Sequence, residues 1–260
     1  MSVSRKNKSI KKSSKSSKRS RNLRKNKKNI KNMKKMSGGG NSNPGNGDTL
    51  TQSSSEQQNT SLQQNTPSES QDIKNIETAI KKYDTTDTTW DFEDIINDNN
   101  IDYFLEKLNE NEHVMSVGII NSSLSDTGKN KLVNLFNNKN LSRIALHNIS
   151  LNLENLENIS KNVNNKNLTM CCLEKAGIDD KGIKFIADLL SNTNIKVLIF
   201  SGNNIKDTGA QSLLKELNKH NDTLMIMMDK NTINDDIVKE FNVLEKKGIH
   251  VYFDVNLDDF

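Results

Sequence analysis

The chain has 260 residues, 32% of them hydrophobic, with a mean hydropathy of −0.75 and a formal net charge of +4. That length admits one or two domains, and so low an apolar content excludes a chain that is packed throughout. No apolar run reaches the ~18–20 residues of a membrane span, no apolar stretch follows Met1 as in a secretory signal, and the two adjacent cysteines, Cys171 and Cys172, suit no structural disulfide, so a reducing cytoplasmic or nuclear location is expected.

The net charge hides two opposed regions. Residues 1–36 carry 16 Lys or Arg and no acid, which leaves 21 of the 37 basic residues against all 33 acidic ones elsewhere, a net of −12. The basic segment, "MSVSRKNKSIKKSSKSSKRSRNLRKNKKNIKNMKKM", has no aromatics and no apolar period, so nothing in it offsets the entropy of ordering and it is expected to be disordered. Residues 37–71 follow as a Gly-, Ser-, Gln- and Asn-rich linker. The 40 asparagines of the chain read as the composition of an AT-rich genome, filling polar loops.

Order is predicted from Asp72. Ile73, Ile76, Ile80 and Tyr83 fall on one helical stripe. After a Thr/Asp-rich turn, Trp90, Phe92, Ile95 and Ile96, then Ile101, Phe104, Leu105 and Leu108, read as one or two more short helices. Residues 72–112 are therefore expected to form a helical N-terminal cap.

From Val114 the sequence repeats. Copies begin at 114, 141, 168, 195 and 223, spaced by 27, 27, 27 and 28 residues. Self-similarity at such a period marks a stack of identical supersecondary units. The copy "IKVLIFSGNNIKDTGAQSLLKELNKHN" shows the plan. Leu198 and Phe200 alternate as on one face of a strand, Asn203 stands where its amide can serve turn backbone, and Asp207 fits a helix start. Gly209 permits close packing, and Leu213, Leu214 and Leu217 give the helix an inner stripe. The second copy is weakest, with Ile149 and Asn155 at the Asn and Gly positions, and an irregular turn is expected there. The run "IHVYFDV" reads as a last edge strand with Val251, Phe253 and Val255 facing inward.

These units resemble leucine-rich repeats of the ribonuclease-inhibitor-like type over roughly residues 114–255. The resemblance implies an α/β fold: a short solenoid shaped as a horseshoe, parallel strands concave and helices convex, over residues 113–260. Two more specific likenesses are thinner. "NEHVMSVGI" is similar to a helix-to-strand junction of tropomodulin-type actin cappers, yet residues 1–71 hold no recognisable actin-binding helices. The Ran GTPase activators share the repeat type, but none of their functional residues matches.

Side chains between the inward positions form three rows across the strands: Ser116, Arg143, Met170, Val197, Met225; Gly118, Ala145, Cys172, Ile199, Met227; and Ile120, His147, Glu174, Ser201, Asp229. Met170, Cys172, Val197, Ile199, Met225 and Met227 would make one apolar patch on the concave face, suited to a protein partner because methionine adapts to varied surfaces. The bland alternative is that these residues pack beneath a C-terminal segment or merely tolerate apolar side chains. Asp126, Asp180, Asp207 and Asp235 recur at one repeat position and are expected to shape helix starts. His147 and Glu174 are expected to form a surface ion pair, Cys171 to lie in the core, and Cys172 to be exposed, the candidate for a reactive thiol.

No phosphate loop, zinc pattern or nucleophile motif occurs, so no enzyme activity, metal or cofactor is predicted. In the basic arm Lys11, Lys12, Lys18, Arg19, Arg21, Arg24, Lys25, Lys27 and Lys28 suit a polyanion. Candidates are nucleic acid, an acidic membrane surface or a nuclear import receptor. The expected function is a monomeric protein–protein interaction module on a basic arm. The alternative is a nonspecific nucleic-acid-associated protein acting through that arm.

Overall fold

Two periodicities, alternation within short β-branched runs and three-to-four spacing between them, fix which side chains face one another. The computed structural model describes residues 70–254. Helix α1 (Gln71–Ile80) leads into strand β1 (Thr89–Glu93), α2 (Ile101–Glu110), β2 (Ser116–Ile120), α3 (Asp126–Asn137), β3 (Arg143–His147) and α4 (Leu153–Asn162). There follow β4 (Met170–Glu174), α5 (Lys184–Asn192), β5 (Val197–Ile199), α6 (Asp207–Leu217), β6 (Leu224–Met227), α7 (Asp235–Glu240), a 3₁₀ segment (Phe241–Lys247) and β7 (Ile249–Tyr252). The seven strands form one wholly parallel sheet in sequence order. This is an α/β stack of strand–helix units.

The register puts Trp90, Val117, Ile144, Cys171, Leu198, Ile226 and Val251 in one row across the sheet. Every strand but the last buries that side chain almost completely, and Val251 stays partly buried. Helices α1 to α6 add apolar stripes to the same core, among them Phe104 and Leu108 from α2, Leu132 and Phe136 from α3, and Leu213 and Leu217 from α6, and α7 rests the partly buried Ile237 against it. All described helices therefore pack on one face of the sheet.

The sheet begins one unit before the repeat visible in the sequence. Trp90 and Phe92 stand in a strand, not a helix, and pair with Val117 and Ile119, again 27 residues on. Phe92 packs edge-on against Phe104, with ring centroids 5.2 Å apart. Beyond β1, Tyr83 closes the edge: its hydroxyl donates to the Asp91 carbonyl at 2.6 Å and accepts from the Asp91 N–H at 2.8 Å. A side chain thus occupies the peptide groups that a further strand would use.

Each unit leaves its strand the same way. Asp94, Asn121, Asn148, Lys175, Gly202 and Lys230 all have φ between 52° and 68°, the left-handed region. That conformation aims the N–H of the first five at the next unit's strand end, at 2.8–3.0 Å. Only glycine adopts it freely and asparagine tolerates it best among the rest, which gives Asn121 and Asn148 a structural reason. The asparagines are therefore more than compositional filler. Asn148 donates to Asn121, which donates to Glu93. On the far side of the units, buried Asn165 donates to the carbonyls of Asn138 and Leu141.

Asn203 behaves as its position predicts. It accepts from the N–H groups of Ala176 and Ile178 and donates to the carbonyls of Leu173 and Phe200, all at 2.8–3.0 Å. Asn231 repeats the arrangement one unit on, accepting from Ile205 and donating to Phe200 and Met228.

The Asp-x-Gly motif works between units rather than within one. Asp180 accepts from the Lys206 N–H at 2.7 Å and Asp207 from the Asn234 N–H at 2.8 Å. Asp98 does the same for Ser125, at 3.0 Å. A Cβ on Gly209 would lie 2.9 Å from Asp180 Cα, so the missing side chain lets the preceding aspartate in. This corrects the helix-start reading in part. Asp126, Asp207 and Asp235 do open their helices, but α5 begins only at Lys184, beyond Asp180. The second copy is regular where an irregular turn was expected. Asn152 and Asn155 exchange side-chain-to-backbone hydrogen bonds as a capping box, and Asn155 also donates to Asn130.

Candidate functional site on the sheet face opposite the described helices

With all described helices on one side, the other face of the sheet carries the alternate side chains. The register places Met170, Val197 and Met225 side by side, and Cys172, Ile199 and Met227 beside them, on β4, β5 and β6. The six predicted residues are thus brought together as two rows of three. They are not an exposed patch, however. Their exposures are 2% for Met170, 4% for Cys172, 5% for Val197, 1% for Ile199, 5% for Met225 and 0% for Met227. None of the six belongs to the core between sheet and helices. The first row runs on to half-buried Arg143 and His250, and the second to Ala145 and Tyr252.

Burial also corrects Cys172, which is covered instead of exposed. Cys171, on the opposite side, lies in the core, and burial pushes its thiol well above the ordinary cysteine range, so it is no nucleophile.

The N-terminal end of the same face differs. The row containing Cys172 and Ile199 continues backward as Ala145, Gly118 and Asp91. Small side chains there leave a shallow floor beside a carboxylate. Asp91 is half-buried and one of its oxygens has no hydrogen-bond partner, so desolvation raises its pKa from 3.8 to about 6. The third row brings His147 beside Glu174 in register, with Nδ1 3.6 Å from Oε2 and side chains only 9% and 12% exposed. The pair is buried, where a surface ion pair was expected. Glu93 stands exposed at the end of that row.

Asp91 escaped the sequence reading because its strand did. Extending the 27-residue period back by one step from Gly118 would have found it. The nine arm residues from Lys11 to Lys28 lie outside the described residues, as does Val255.

Among the described residues, no group of three or more His, Cys, Asp or Glu is placed to hold a metal ion, and no helix is long and apolar enough to cross a membrane. The described clefts lie along the helices: one is lined by Lys166, Leu190, Asn194, Lys219 and His220, another by Asp72, Ala79 and Asn97. No family model matches the chain, and no curated protein matches it.

Proposed function

We propose that this chain is a non-enzymatic binding module of the leucine-rich-repeat, ribonuclease-inhibitor-like kind, which docks a protein partner across β4–β6 on the face opposite the described helices. One observation carries the reading: six apolar side chains align in two rows across three strands on the face that the described helices leave alone. A stack that needed only a core would have no reason to gather methionine and isoleucine there. Burial sets a condition on docking. Half-buried Arg143 and His250, which flank the first row, are the side chains that a partner would meet first. The basic arm, with 16 positive charges and no acid, would hold the assembly on a polyanion or direct it to the nucleus.

The test is a pull-down with the full chain, comparing wild type with Ile199→Asp/Met227→Asp and with the milder Ile199→Thr/Met227→Gln. Circular dichroism identifies which variants are folded. A partner retained by wild type and lost by a folded variant supports the face as the working surface. Partners that survive both variants but are released by salt, with log K falling by about 0.9 per phosphate contact for each tenfold rise in salt, would assign binding to the arm instead.

A further inference from the structure

The two edges of the described sheet are treated differently. At β1 the Tyr83 hydroxyl occupies both peptide groups of Asp91, and α1 packs Ile76 and Ala79 against the core. At β7 no such block is present among the described residues. Pairing with β6 uses the even positions: Leu224 N–H donates to the Gly248 carbonyl, and Met228 N–H to that of Tyr252 at 2.7 Å. By strand alternation, the peptide groups of Ile249, Val251 and Phe253 point away from β6. The elements around this edge are also thin. Helix α7 has six residues and buries none of them, Val243 is 56% exposed, and Val251 and Phe253 are only partly buried. On the described residues, the β7 side of the sheet presents partly buried Val251 and Phe253 beside peptide groups that point away from β6.

The edge is complementary to itself. Set antiparallel about a two-fold axis through Val251, two β7 strands place Ile249 opposite Phe253, His250 opposite Tyr252, and Gly248 opposite Asp254. The outward positions then face one another, so all three outward pairs exchange both N–H···O bonds. Ile249 and Phe253 meet on the helix side of the sheet. The exposed Asp254 approaches the strand that follows exposed Lys246 of the other copy. Head-to-tail growth is barred because Tyr83 fills the β1 edge, so the pairing closes at two. We infer that β7 is a dimerisation edge, joining two copies of this chain through an antiparallel β7–β7 ladder centred on Val251. Such an interface, of strand length and little more, is at the small end of specific contacts and gives a concentration-dependent dimer in place of the monomer expected from the sequence.

Sedimentation velocity on the full chain, over about 1–500 µM, reads the equilibrium directly. Val251→Pro removes an N–H that β6 does not use, so the internal ladder survives while the outer one loses its centre. The expected result is a wild-type dimer whose dissociation constant rises at least about 100-fold in Val251→Pro. Val251→Cys provides the second readout. Across the axis the two Cα atoms would lie about 5.5 Å apart, within disulfide range, and mild oxidation should trap a covalent dimer, Cys171 and Cys172 being buried. If Val251→Pro does not fold, the trapped Val251→Cys dimer decides the matter, and its absence counts against the pairing. A wild-type chain that stays monomeric throughout, or a dimer that persists in folded Val251→Pro, would overturn it.

Discussion

The N-terminal and C-terminal halves of the stack meet the same backbone demands with different residues. In the C-terminal half Asn203 and Asn231 sit inside the turn after the strand, holding buried backbone groups of two units at once. In the N-terminal half that position holds Ser122, Ile149 and then Ala176, and asparagine moves outward to the left-handed residues 121 and 148. The face opposite the described helices changes in step, from Asp91, Gly118 and Ala145 at one end to Cys172, Ile199 and Met227 at the other. The difference shows that repeat identity lies in the backbone path. The side chains that satisfy it can be exchanged, and this freedom lets one end of a face become apolar while the other stays small and acidic.

Removing the inner asparagine should have the largest effect. Asn203→Ala strands two N–H donors and two carbonyls in a buried turn, and a loss of about 3–4 kcal/mol is expected in chemical denaturation. The outer asparagine is the control. Asn121→Ala should cost only about 1 kcal/mol, mostly for the left-handed backbone, and Asn121→Gly should be close to neutral. Equal losses from Asn203→Ala and Asn121→Ala would erase the distinction between the halves.

A smaller effect is expected at the repeat glycines. Gly209→Ala drives a Cβ to 2.9 Å from Asp180 Cα, backbone that cannot swing aside, and should cost about 1–3 kcal/mol. Gly182 follows a unit without the aspartate and would meet Ile178 and Leu156 methyls at 3.0 Å, so Gly182→Ala should cost less. The ratio of the two melting shifts measures how far the inter-unit aspartate sets the spacing.

The last change is at Asp91 and depends on pH. Its folded pKa of about 6 lies above the ordinary 3.8, so the native state holds this proton more tightly than the unfolded chain does. Stability from this group is therefore fully present below pH ~4 and is lost as pH rises through ~6. Asp91→Asn should raise the melting temperature at pH 8 and leave it unchanged at pH 4. A gain at both would assign the effect to something other than the buried charge.

Much of this fold is legible in the residues. The 27-residue spacing, the inward row from Val117 to Ile226 and the bonding of Asn203 all follow from period and chemistry. Trp90 and Phe92 were obscured because Ile95 and Ile96 extend their alternation into a pattern that also fits a helix. The capping box of Asn152 and Asn155 was hidden because asparagine there departs from the glycine of the other copies while supplying its own bonds. Burial of the six candidate site residues was beyond reach, since alternation gives the face a side chain occupies and not what covers it.

The central claim, that the apolar half of the face opposite the described helices is the working surface, is tested most directly by a matched pull-down with the full chain. Folded Ile199→Thr/Met227→Gln alters the C-terminal half, and folded Asp91→Asn the N-terminal half. Loss of a partner in the first variant with retention in the second is the predicted result. Retention in both, or equal loss in both, would contradict it.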